Sequence, residues 1–61
     1  MTGSEIKRLL KKQGCYQVGE YKGHEKWFSP ITGNFFPIPR HDAKEIKPKT
    51  AESILKAAGL K

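Results

Sequence analysis

The chain has little with which to staple itself. It contains one cysteine, Cys15, and two histidines, which excludes an internal disulfide and an all-protein structural zinc site. Its longest apolar runs are two or three residues. That argues against a transmembrane helix and against the apolar core of a secretory signal. Together with the unpaired thiol it points to the cytoplasm, away from any membrane. There is no internal repeat, no low-complexity tract, no glycine-rich phosphate loop leading into a helix and no His-Glu-x-x-His. Acidic residues are scarce: six Asp and Glu face twelve Lys and Arg, giving a net charge of +6. Such an excess favours polyanions, nucleic acid or an acidic surface.

What is present fits one small domain spanning residues 1–61. A chain of 61 residues hides only about 60% of its unfolded surface, and a core of this size rarely supplies more than about 3–5 kcal/mol. Three Phe, two Tyr and one Trp still argue for packing over disorder.

Ser4 is placed to cap a helix over residues 4–13, with Glu5 in its first turn. Ile6, Leu9 and Leu10 form its apolar stripe, and Gly14 is its left-handed terminator. Residues 15–20 read as a short strand with Tyr16 and Val18 on one face. Residues 24–29 read as a second strand. Pro30-Ile31-Thr32-Gly33-Asn34 has turn chemistry. Residues 35–39 read as a third strand, which Pro37 and Pro39 push to a sheet edge. A loop over residues 40–49, with a short turn near Asp42–Ile46, leads to a second helix capped by Thr50. Its stripe is Ala51, Ile54, Leu55 and Ala58, and Gly59 ends it with Leu60 folding back on Leu55. Neither helix is long enough to be stable alone. The expected fold is therefore α+β, α-β-β-β-α, a three-stranded antiparallel sheet with both helices on one face. The expected core is Trp27, Val18 or Tyr16, Ile6, Leu9, Leu10, Ile54 and Leu55.

Two basic groups stand out. Lys7, Arg8, Lys11 and Lys12 lie opposite the apolar stripe of the first helix, as a solvated face or as a phosphate-contacting one. Arg40, Lys44, Lys47 and Lys49 lead into the second helix, whose free N–H groups favour anions. Strand alternation puts His24, Lys26 and Phe28 on one face and Glu25 and Trp27 on the other. With Trp27 in the core, His24 is exposed beside Lys22 and Lys26, as an idle surface histidine or as a proton-transfer group next to a bound phosphate. His41, held by the stiff Pro37-Ile38-Pro39-Arg40 exit, is a loop histidine or a second functional one. Cys15 reads as a buried, inert thiol. Trp27, Phe28, Phe35 and Phe36 could stack bases, but in so small a domain most are more simply core.

Ser4-Glu5-Ile6 through Leu9-Leu10 and Gln13-Gly14, then Lys22-Gly23-His24-Glu25-Lys26-Trp27, Pro37-Ile38-Pro39-Arg40-His41, Glu45-Ile46-Lys47, Thr50 and Ser53-Ile54-Leu55-Lys56-Ala57-Ala58-Gly59-Leu60 follow one another in order. Taken together this string resembles the HicA-type toxins of bacterial and archaeal toxin–antitoxin modules, over nearly the whole chain. The resemblance implies a double-stranded-RNA-binding-like fold, in agreement with the element order above. It implies a type II toxin that cleaves mRNA independently of the ribosome, and a HicB-like antitoxin that occludes its active site. The toxin would be monomeric alone and hetero-oligomeric with that partner. The family's catalytic histidine falls on His24; the preceding Gly23 stands where many members have Ser or Asn.

RNA carries its own nucleophile, the 2′-OH, so a histidine acid/base suffices and no metal or other cofactor is expected. His24 is the catalytic candidate and His41 the candidate for a second acid/base group. Lys7, Arg8, Lys11, Lys12, Lys22, Lys26, Arg40, Lys47 and Lys49 are the RNA-binding candidates. The alternative is a non-catalytic double-stranded-RNA-binding module, which needs no histidine at position 24.

Overall fold

Thr2, not Ser4, starts the first helix. The computed structural model describes residues 1–40 and 43–60, and its first element is α1, Gly3–Lys12. The Thr2 hydroxyl accepts from the Glu5 N–H at 3.2 Å, while the Thr2 N–H donates to the Glu5 carboxylate at 2.9 Å. This is a reciprocal capping box. The Thr2 backbone N–H, and then its hydroxyl, hold the Glu5 carboxyl below its usual range. At the other end Gly14, at φ 92°, lets the Cys15 N–H reach the Leu10 carbonyl at 2.9 Å, a Schellman closure.

Three strands follow: β1 Tyr16–Tyr21, β2 His24–Ser29 and β3 Asn34–Pro39. They pair antiparallel in the order β1-β2-β3, so β3 is an edge, as its prolines required. The last element is α2, Pro48–Ala58, with Lys47 at the N-cap position and proline in its first turn. Thr50 is therefore inside the helix and caps nothing. Proline is welcome at a helix start because its missing N–H has no helical partner there. At the C-terminal end of α2, Gly59 at φ 84° and the Leu60 N–H on the Leu55 carbonyl repeat the closure of α1.

Both helices cover one face of the sheet. Ile6 and Leu10 of α1, Trp27 and Phe36 and Ile38 of the sheet, and Ala51, Ile54 and Ala58 of α2 form one buried cluster with Cys15 and Ile46. The sequence expectation for this core needs four corrections. Leu9 is exposed, because the buried stripe of α1 runs Gly3, Ile6, Lys7, Leu10. Tyr16 and Val18 are exposed as well. Tyr16 pairs with Phe28 on the far face, and a register shift between Gln17 and Gly19 leaves Val18 as the extra residue of a bulge. Leu55 is half-buried. In their place Phe36 and Ile38 from β3 fill the core.

Two polar attachments fix the layers. The Lys7 ammonium meets the Glu25 carboxylate at 2.6 Å, and the other Glu25 oxygen accepts the Trp27 indole N–H at 3.0 Å. Ser29, fully buried, donates to the Ala58 carbonyl at 2.7 Å, and Thr32 donates to the Ala57 carbonyl at 2.8 Å. The end of β2 and the loop after it thus supply partners for carbonyls that the end of α2 leaves open. Gly59 sits hard against this loop: a Cβ there would lie 2.8 Å from side-chain carbons of Ile31 and Thr32. The chain's start is tied down by a bridge between Thr2 and Glu45 and by an ion pair between the Met1 amino group and Glu45.

Candidate functional site

A two-residue turn sets the direction of the candidate histidine. Lys22 (φ 48°) and Gly23 (φ 81°) both occupy the left-handed region, between the paired residues Tyr21 and His24. Positive φ at both central positions is the type I′ pattern, whose twist matches that of antiparallel strands. Asn and Gly are the easy residues there. Lys22 holds a Cβ in this region at a cost of about 1–2 kcal/mol. His24 is the first residue after the turn and lies on the sheet face away from the helices, exposed as alternation required. Its Nδ1 lies 3.3 Å from the Lys22 carbonyl oxygen. A carbonyl only accepts, so the contact is satisfied by Nδ1–H. Nε2 is then the ring's remaining base when the imidazole is neutral, and a second N–H donor when it is charged.

His24 opens into a shallow groove of about 390 Å³, whose other lining residues are Glu20, Tyr21, Glu25, Lys26, Phe35, Phe36 and Pro37. The register explains why the groove stays open. Lys26 is flanked across the sheet by Gly19 on β1 and Pro37 on β3, neither of which carries a long side chain. A Cβ added at Gly19 would meet nothing within 4 Å. The Lys26 ammonium lies 4.8 Å from the Phe35 ring centroid and that of Lys22 lies 5.4 Å from the Tyr21 ring. These are cation–π distances. Two exposed lysines thus flank His24 in the chain on this open face, each with its ammonium over an aromatic ring.

The other RNA-binding candidates are spread out. Arg8, Lys11 and Lys12 are exposed on α1, in the helical layer. Lys7 does not belong with them: it is buried at 8% exposure, in the ion pair with Glu25. Its ammonium holds α1 to β2 and is not presented to a ligand. Arg40 leaves β3 next to Pro39, which pairs with His24. Its guanidinium rests on Glu20 at 3.4 Å. An exposed pair of this kind contributes only about 0–1 kcal/mol, so Arg40 is available to an incoming anion. Lys47 and Lys49 stand at the start of α2, whose first turn has no acidic residue. His41 and Asp42 lie outside the described residues. Among the described residues no three His, Cys, Asp or Glu side chains gather as metal ligands, and no helix is long and apolar enough to cross a membrane.

The sequence reading missed two features of the strands around His24. One is the row Tyr16–Phe28–Phe35, whose rings run across all three strands at centroid distances of 5.6 and 5.0 Å. Alternation on β2, carried across to both neighbours, is the signal that finds it. The other is Glu25, next to His24 in sequence but on the opposite face, where it joins Lys7 and Trp27. No local pattern announces that partnership.

The family model described as the HicA toxin of bacterial toxin–antitoxin systems matches residues 3–60. A chain in the crystal structure of the E. coli HicAB toxin–antitoxin complex superposes with a TM-score of 0.80 at 34% sequence identity, covering 97% of this chain and 98% of that one. No curated protein matches the sequence significantly.

Proposed function

This chain belongs to the HicA toxin family, and from that premise we propose that it is the RNA-cleaving toxin of a toxin–antitoxin pair, with His24 as its catalytic acid/base. The observation that carries the proposal is the setting of His24: exposed on the open sheet face, steadied through Nδ1 by the Lys22 carbonyl, and lining an open groove together with Lys26.

The chemistry needs only RNA and these side chains. The ribose 2′-oxygen attacks the adjacent phosphorus, the bond from phosphorus to the 5′-oxygen breaks, and the products are a 2′,3′-cyclic phosphate and a 5′-hydroxyl. A proton leaves the 2′-OH and a proton reaches the departing 5′-oxygen. Neutral His24 takes the first through Nε2; charged His24 gives the second from the same atom. The other transfer falls to a second group, for which His41 is the candidate. Lys22 and Lys26 offset the negative charge that builds on the phosphoryl oxygens. Arg40, Lys47 and Lys49, with Arg8, Lys11 and Lys12 on α1, add sequence-independent attraction to the backbone. No metal or cofactor takes part.

The partner is a HicB-like antitoxin. The related E. coli chain was crystallised in a HicAB complex, and a protein of net charge +6 favours an acidic partner surface. Covering the open face would withhold His24 from RNA.

The test is RNA cleavage by wild type and by His24→Ala with excess chelator. The expected result is cleavage by wild type, leaving cyclic phosphate and 5′-hydroxyl ends, and a rate about 10²–10⁴-fold lower in the variant. A non-catalytic RNA-binding module would show no cleavage by either chain.

A further inference from the structure

The sheet face that carries His24 leaves three large aromatic side chains more than half exposed. Tyr16, Tyr21 and Phe35 are 51%, 65% and 57% exposed, and Phe28 between Tyr16 and Phe35 is half-buried. A grouped apolar patch of this kind marks a surface that something covers. We infer that the row Tyr16–Phe28–Phe35 is a base-stacking subsite, and that the RNA taken by this protein is therefore single-stranded across it. The inference rests on the RNA reading above and deepens it.

Three observations select this occupant. The row is aromatic throughout, and every nucleobase offers a π-face to such a surface. The cations are interleaved with the rings: Lys26 lies over Phe35 and Lys22 lies by Tyr21. A nucleotide brings both partners at once, a base for the ring and a phosphate for the ammonium. Finally, the row is continuous with the candidate site, since Phe35, Lys26 and His24 line the same groove. His24, Lys26 and Phe28 stand two residues apart in turn on β2, which places the row about 13 Å from His24 at ~3.3 Å per residue, with Lys26 midway. A strand whose scissile phosphate lies at His24 thus lays a nearby base on the row. A duplex cannot do this, because its bases are hidden in their own stack and it is read by shape and backbone instead.

The experiment measures binding of the 61-residue chain to a single-stranded oligonucleotide bearing 2′-O-methyl groups and to the corresponding duplex. Without a free 2′-OH neither probe can be cut, so binding is read apart from catalysis. Tyr16→Ala and Phe35→Ala are exposed substitutions; circular dichroism and thermal melting check that both remain folded. The expected result is that each weakens single-strand binding about five-fold or more, that Phe35→Trp retains it, and that duplex binding is weaker and unmoved by all three. Unchanged single-strand affinity in both alanine variants overturns the inference, as does preference for the duplex. Loss of antitoxin binding with RNA binding intact also overturns it and makes the row a protein-docking surface. Wild-type chain that binds neither probe and cuts no unmodified RNA fails the RNA reading itself, a different outcome from a wild type that cuts RNA without using the row.

Discussion

Strand β2 has two faces built from alternate residues, and they are opposites. Glu25, Trp27 and Ser29 point at the helices, and each is committed: Glu25 to Lys7, Trp27 to the core and to Glu25, Ser29 to the end of α2. His24, Lys26 and Phe28 point the other way. Their contacts are a long bond to a turn carbonyl, a cation over a ring, and a tilted row of aromatics. One face is closed by internal partners and the other is left largely open. A six-residue strand can therefore anchor the fold through one set of alternate side chains and keep the other set free of such anchoring.

Substitutions should respect that division. Trp27→Ala, on the closed face, should have the largest effect. Truncating a buried Trp costs about 3–5 kcal/mol, as much as a core of this size supplies, so urea titration should find the variant largely unfolded. Lys7→Ala should follow at about 3 kcal/mol, because it strands the Glu25 charge where both partners are nearly buried. Lys11→Ala, one turn on and exposed, should fall within about 0.5 kcal/mol; equal losses would erase the distinction between these two lysines. Ser29→Ala should cost about 1–3 kcal/mol by leaving the Ala58 carbonyl without its donor, read as a lower melting temperature. Lys22→Asn sharpens the comparison from the open side. It removes strain at a left-handed position and should stabilise the hairpin by about 1 kcal/mol while weakening RNA binding. The smallest effect is a pH dependence at the capping box. The Glu5 carboxyl is lowered by its bonds from Thr2, so its contribution is present above the ordinary carboxylate range and is lost as pH falls through the lowered value. Glu5→Gln should flatten that slope in an acid melt.

Element order, both glycine closures, the edge position of β3 and the outward direction of His24 were legible in the sequence because each rests on a local rule. Three things were not. Helix starts were misread as Ser4 and Thr50, although Thr2 with Glu5 three residues on, and Pro48, carry the actual signals. Tyr16 and Val18 look like a pair with one of them in the core, but Tyr16 pairs with Phe28 on the far face and the bulge at Val18 breaks the alternation. Lys7 was assigned to the basic face by its charge. Its position at i+1 from Ile6 and i+4 from Gly3 puts it on the buried stripe, and only the distant Glu25 makes that burial tolerable. The candidate site itself is half local and half tertiary: the turn and histidine are contiguous, while the groove and the aromatic row need the pairing of all three strands.

Two neighbouring residues test the account most directly. His24→Ala and Glu25→Ala change adjacent side chains on opposite faces of β2, and each is measured for thermal stability and for RNA cleavage per folded molecule. His24→Ala should melt like wild type, within about 0.5 kcal/mol, and cleave about 10²–10⁴-fold more slowly. Glu25→Ala should be strongly destabilised, while its folded fraction cleaves at the wild-type rate. Near-wild-type cleavage by a folded His24→Ala chain would contradict the catalytic role of His24.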